Sequence, residues 1–184
     1  MKETFQELIT YLKNPVLEQD NNLDTSYRFQ KFLHLLVISI VTGAVLSPLF
    51  LLIEQLGWVD MNEHAMEELL KTTSKGLIAF LVIIFAPLLE ELFFRAPLTL
   101  FHGKKVFKIA FYVFTILFGL IHLTNFNMTT NVLLLAPVLV APQTILGGYL
   151  GFIRVRFGLI WSILLHACYN AFFVLLSFAG DLLS

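Results

Sequence analysis

The stretch 76-GLIAFLVIIFAPLLEELFFRAPLTLF-101 decides the class of fold. Its only charged residues are Glu90, Glu91 and Arg95, set well inside an apolar run. The run is long enough to cross a bilayer, which takes about 20 residues of helix. Reading outward, four further runs of that kind fall at roughly 33–53, 106–123, 131–153 and 157–180. The chain has 184 residues, 58% of them hydrophobic and 14% charged. Soluble domains carry about 45–50% and about 25%, so a water-soluble core of this size has no room for so much apolar surface. The expectation is an all-α fold: a polytopic bundle of about five transmembrane helices, with membrane lipids as its solvent.

Segment 1–31 reads as an interfacial preface to a single transmembrane domain over 32–184. Phe5, Leu8, Ile9 and Leu12 share one helical face, with Lys2, Glu3, Glu7 and Lys13 mostly elsewhere. This predicts a short amphipathic helix ending near Asn14-Pro15, lying on the membrane surface or capping the bundle. No secretory signal pattern opens the chain, because the first apolar run follows some thirty polar residues. Pro137, Pro142 and Gly147-Gly148 mark the fourth span as kinked or closely approached by a neighbour. Segment 54–75, with Glu54, Asp60, Glu63, Glu67 and Glu68, is a sizeable loop, part of it open to helix.

Basic residues orient the spans. With five spans, ten of the twelve Lys and Arg fall on one side and only Lys71 and Lys75 on the other. That places the N-terminus in the cytoplasm and the C-terminus outside. If the source is prokaryotic, the membrane is the bacterial cytoplasmic one. A net charge of -1 points to no nucleic acid. A single cysteine, Cys168, excludes an internal disulfide and a multi-cysteine metal site.

Three intramembrane clusters remain: Glu90-Glu91-Leu92-Phe93-Phe94-Arg95, Phe118-Gly119-Leu120-Ile121-His122, and His166-Ala167-Cys168-Tyr169-Asn170. Ionisable residues at this depth are costly and are usually paired or functional. Glu91 and Arg95 are four apart, acid first, the favourable order for an ion pair on one face. Glu90 points about 100° away and has no local cation. Phe118 shares a face with His122, where its ring can limit water and fix the imidazole. His166 and Asn170 project together. With a turn centred near Val106, Glu90 and His122 lie at one level, about 24 Å from it, and His166 lies roughly 17 Å from the same membrane face.

These clusters resemble the motifs of the CPBP family of intramembrane proteases, which includes the CAAX prenyl endopeptidases and the bacterial Abi-type proteins linked to bacteriocin immunity. The family pattern is Glu-Glu-x-x-x-Arg, Phe-x-x-x-His and His-x-x-x-Asn or -Asp on successive core helices, and here it spans a protease-like core of about 76–175. The resemblance implies an endopeptidase that acts on a membrane-associated peptide or protein. In one route Glu90 and His122 hold or deprotonate water while His166 and Asn170 donate to the oxyanion. In the other, Glu90, His122 and His166 ligate zinc, with a fourth position for water. Both routes stand at this point. Glu91, Arg95 and Phe118 are then supporting residues.

A different class of function is a non-catalytic membrane module that binds a partner, as in bacteriocin immunity, with the polar clusters as structure. A transporter is disfavoured because no inverted repeat of spans is visible. Cys168 faces away from His166 and reads as a small buried hydrophobe. His34, His64 and His102 fall near span ends or in loops and read as solvated. His64-Ala65-Met66-Glu67-Glu68 lacks the second His of a zincin. Gly147-Gly148-x-x-Gly151 follows no strand and reads as close helix packing.

Overall fold

The computed structural model describes residues 1–61 and 71–180. Glu63, His64, Glu67 and Glu68 of the 54–75 segment lie outside the described residues. Among the described residues, the main helical elements are α1 (Lys2–Lys13), α2 (Thr25–Gln55), α3 (Lys75–Leu100), α4 (Lys104–Asn125), α5 (Thr130–Phe157) and α6 (Leu159–Gly180). All but α1 are long and apolar enough to cross a membrane, and no strand occurs among the described residues.

The bundle turns much of its apolar surface outward. On α2, Leu33, Val37, Val41, Val45 and Leu49 recur every fourth residue and are all exposed, one stripe along the helix. In water such a stripe would be a liability. In hydrocarbon it is an ordinary lipid contact, and helices associate by packing and polar contacts instead. α2 starts at Thr25, earlier than its apolar run, because Asp24 accepts the Tyr27 N–H at 2.7 Å and caps the first turn. It ends in a Schellman turn: Gly57 N–H bonds Glu54 O and Trp58 N–H bonds Ile53 O, with Gly57 at φ 66°.

α1 caps the bundle, with a buried face that differs from the expected one. Thr4, Leu8 and Tyr11 are buried, whereas Phe5 is 46% exposed. Polar contacts explain the rotation. Thr4 Oγ1 meets His34 Nδ1 at 2.9 Å, and the Tyr11 hydroxyl donates to Val16 O at 3.0 Å. Glu7 pairs with Lys31 and, at 3.2 Å, with Arg156. His34 lies inside α2, part-buried, and docks α1 through Thr4.

The second half of α5, Ala141–Phe157, is the central helix, with every residue from Leu146 to Ile153 buried. α5 breaks at Val140 (φ -100°, ψ 4°), just before Pro142, a residue that suits the start of a helix. The fourth span is thus both kinked and closely approached: a Cβ on Gly119 of α4 would fall 1.9 Å from Thr144 Oγ1 of α5. The turn between α3 and α4 lies between Leu100 and Lys104, not at Val106, which is inside α4. Ala96–Leu100 is 3₁₀ helix, whose longer rise per residue recovers part of the resulting offset.

Candidate active site

α3 changes its winding on the way to its acidic pair. Lys75–Ala79 is α-helical, Phe80–Phe85 is π-helical, and Ala86–Phe94 is α-helical again. Proline explains the consequence. In the wider turn Ala86 N–H bonds Leu81 O, so the next carbonyl, Val82 O, would look five residues on to Pro87, which has no N–H. Asn170 fills the gap, its Nδ2 donating to Val82 O at 2.8 Å. One of its two amide protons is committed to the backbone, and the other remains for the cavity beside it.

Ser162, His166 and Asn170 recur at intervals of four and form one polar stripe on α6. Glu91 is fully buried against this stripe. Its Oε1 accepts from His166 Nδ1 at 3.0 Å, and its Oε2 is hydrogen-bonded to the Ser162 hydroxyl. Arg95, 1% exposed, brings Nε to 3.8 Å from Glu91 Oε1, donates from Nη2 to Gly147 O at 3.2 Å, and lays its guanidinium 3.8 Å from the Phe118 ring centre. Glu91 is therefore more than a partner for Arg95. It holds the ring of His166, as a carboxylate commonly orients a working imidazole.

The other side of His166 faces an open cavity of about 340 Å³. Glu90, Phe118, His122, His166 and Asn170 all line it, together with Asn125, Gln143 and Tyr169. Glu91 and Arg95 sit outside its lining. His122 Nδ1 is 2.7 Å from Phe118 O, and its ring meets Phe118 edge-on at 5.0 Å. Phe118 also meets His166 edge-on at 5.7 Å. Both imidazoles are thus tied at Nδ1, and each keeps Nε2 for other work. His166 Nε2 lies 3.7 Å from Glu90 Oε2, a buried oxygen with no hydrogen-bond partner; Gln143 Oε1 is in the same state.

Glu90, His122 and His166 supply the donor chemistry of a three-ligand zinc site. Among the described residues, however, no three His, Cys, Asp or Glu side chains are close enough together to hold an ion as they stand.

Sequence reading did not single out Ser162, Gln143, Tyr169 or Arg154 for the site. Arg154 donates from Nε to Arg95 O at 2.9 Å and from Nη2 to Ala96 O and Thr99 Oγ1 at 3.3 and 2.9 Å, holding the end of α3. The spacing of Ser162, one turn before His166, was a usable signal. Cys168 packs half-buried against the core cluster, and His102 is exposed.

The fold and site define a multi-helix membrane protein with a buried carboxylate and imidazole centre. A family model described as type II CAAX prenyl endopeptidase, Rce1-like, matches residues 72–172, more than half of the chain and all three motifs. The chain belongs to this family, in agreement with the CAAX-protease-like resemblance of its motifs. Searches of curated proteins and of solved structures returned no match. Membership makes the chain an integral membrane protein of the CAAX-type intramembrane protease class.

Proposed function

We propose that the protein is an endopeptidase that hydrolyses a peptide bond of a membrane-associated peptide or protein at the Glu90 cavity. The observation that carries this reading is Glu90: it lines the same cavity as His122, and its Oε2 has no hydrogen-bond partner and lies 3.7 Å from His166 Nε2. Glu90 takes the proton of an attacking water, and His122, tied at Nδ1, holds that water through Nε2. His166 and the uncommitted Asn170 proton donate to the oxyanion as the carbonyl carbon becomes tetrahedral. For His166 to donate from Nε2 while Nδ1 also donates to Glu91, the ring must be cationic. In that state Glu91 and Glu90 flank it with negative charge. Collapse of the intermediate returns the proton from Glu90 to the leaving amine, completing hydrolysis.

Bound at Glu90, His122 and His166, a zinc ion would lower the pKa of its water and polarise the carbonyl. Metal content decides between the routes. An active preparation with about one zinc per chain, inactivated by chelation and restored by zinc, supports the metal route. Activity in a metal-free preparation supports the route above. Either way, Glu90→Gln should lower cleavage about 10²–10⁴-fold, the typical contribution of a general base.

The basic residues support a cytoplasmic N-terminus. In a Cys168→Ser background, Lys104→Cys and Lys71→Cys should label from opposite sides of the membrane, Lys104→Cys from the cytoplasm. Labelling from one side contradicts the five-span orientation.

A further inference from the structure

The cavity at Glu90 has two unlike ends. α3 and α5 run toward the turns at 100–104 and Gly158, and α4 and α6 run away from them. By position along these helices, Glu90, Phe118, Leu146 and His166 stand nearest the turns. Val82, Asn125, Gln143 and Asn170 stand farthest from them. Phe118, Leu146 and His166 are buried at the near end, whereas all four residues at the far end are only half-buried.

Two layers seal the near end. The first is the group of Glu91, Arg95 and Ser162, each at 1% exposure or less. It ties together the four helices that line the cavity. Arg95 of α3 donates from Nη2 to Gly147 O of α5 at 3.2 Å and lays its guanidinium 3.8 Å from the Phe118 ring centre of α4. Ser162 Oγ of α6 lies 3.0 Å from Leu150 O of α5. The second layer is α1. Its Tyr11 ring meets Phe111 and Phe152 edge-on at 5.6 and 5.1 Å, and a Cβ on Gly148 would lie 2.9 Å from Leu12 Cδ2. The Tyr112 hydroxyl, donating to Leu12 O at 2.9 Å, and the pairs of Glu7 with Lys31 and Arg156 hold α1 in place. A peptide arriving from this end would have to open a buried ion pair and lift a docked helix, and buried pairs resist opening.

The sealed end is also the basic one. Lys104, Lys105, Lys108, Arg154 and Arg156 fall there, and such residues favour the cytoplasmic side. We infer that the Glu90 cavity receives its substrate from outside, through the end lined by Val82, Asn125, Gln143 and Asn170. The substrate class is a membrane-associated polypeptide whose cleavable bond lies in the outer half of the bilayer or at its outer surface. A tail held at the cytoplasmic surface meets the sealed end instead. The inference rests on the endopeptidase reading for the cleavage and on the five-span orientation for the side.

Two measurements test it, the first without any need for activity. In a Cys168→Ser background, full-length Asn125→Cys and Gln143→Cys are treated with a charged, membrane-impermeant maleimide in sealed vesicles of either orientation. Both should label in right-side-out vesicles, while Lys104→Cys labels in inside-out ones. Labelling of the cavity cysteines from the cytoplasmic side, or from neither side, overturns the inference, and having two positions keeps it falsifiable if one variant folds poorly. The second measurement follows a sulfonated fluorogenic peptide library added outside vesicles that hold the wild-type chain. Right-side-out vesicles should cut it at least ~10-fold faster than inside-out ones, because charged groups enter hydrocarbon only at high cost, and detergent should erase the difference. Equal or reversed rates overturn the side of entry and leave the peptidase reading standing. No cleavage in vesicles or in detergent overturns the peptidase reading and the substrate class with it, even where the labelling places the open end outside.

Discussion

Two polar regions meet at His166. On its Nδ1 side, Glu91, Ser162 and Arg95 form a closed layer, shut off from the cavity, in which Glu91 has a partner for each oxygen and no exposure, although Arg95 Nη1 has no hydrogen-bond partner. On its Nε2 side, Glu90 and Gln143 line a cavity of about 340 Å³, and each also holds a buried oxygen without a hydrogen-bond partner. The same imidazole belongs to both. Charges inside a membrane bundle persist when they are paired, and unpaired ones carry a standing cost. The closed layer therefore builds and orients. The open side holds the groups with lone pairs to spare, which is what proton transfer needs.

Damage to the closed layer should show first as lost stability. Arg95→Leu leaves Glu91 buried without its cation and removes the guanidinium from Phe118. Breaking a buried pair this way costs about 3–5 kcal/mol, so accumulation and thermal stability in detergent should both fall. If Arg95→Leu melts like the wild-type protein and loses only cleavage, Arg95 belongs to the open side. Ser162→Ala takes a donor from Glu91 Oε2. Hydrogen bonds to charged groups contribute about 1.5–3 kcal/mol, and the His166 ring should also loosen. A lower melting temperature with a modest fall in kcat is expected, and an unchanged melt would separate Ser162 from the layer. Gly119→Ala tests the α4–α5 contact that sets His122 beside the site. Overpacking costs about 1–3 kcal/mol. Thr144→Ala removes the hydroxyl that the new methyl would strike and should recover part of the loss in the double variant.

The five spans were legible because lipid leaves a chain few options: backbone groups must be satisfied internally, so each crossing is one long apolar run. The clusters around Glu90, His122 and His166 were legible because ionisable residues in such runs stand out. The buried face of α1 was not. Apolar residues on a membrane protein turn outward as readily as inward, so Phe5 faces out while Thr4, bonded to His34, is buried. The Asn170–Val82 bond was hidden for another reason, since one partner is a carbonyl that no side-chain pattern announces. Pro87, five residues after Val82, carried that information only once the π-helical turn was known. The turn after α3 was displaced because Ala96–Leu100 winds as 3₁₀ helix around Pro97, a change that hydropathy does not register.

Glu90 and Glu91 are neighbours in sequence and opposites in surroundings, and one paired measurement decides whether that difference is functional. Glu90→Gln and Glu91→Gln are compared for peptide cleavage and for melting temperature in the same detergent. Gln keeps the size and hydrogen-bonding reach of Glu but loses the anionic oxygen that accepts a proton. Glu90→Gln should melt close to the wild-type temperature, since Glu90 Oε2 has no hydrogen-bond partner to lose and only the 3.7 Å approach to His166 Nε2, and should lose about 10²–10⁴ in rate. Glu91→Gln should melt well below wild type, having uncoupled Arg95, Ser162 and His166. Full activity in Glu90→Gln, or a stability loss as large as that of Glu91→Gln, would contradict the account.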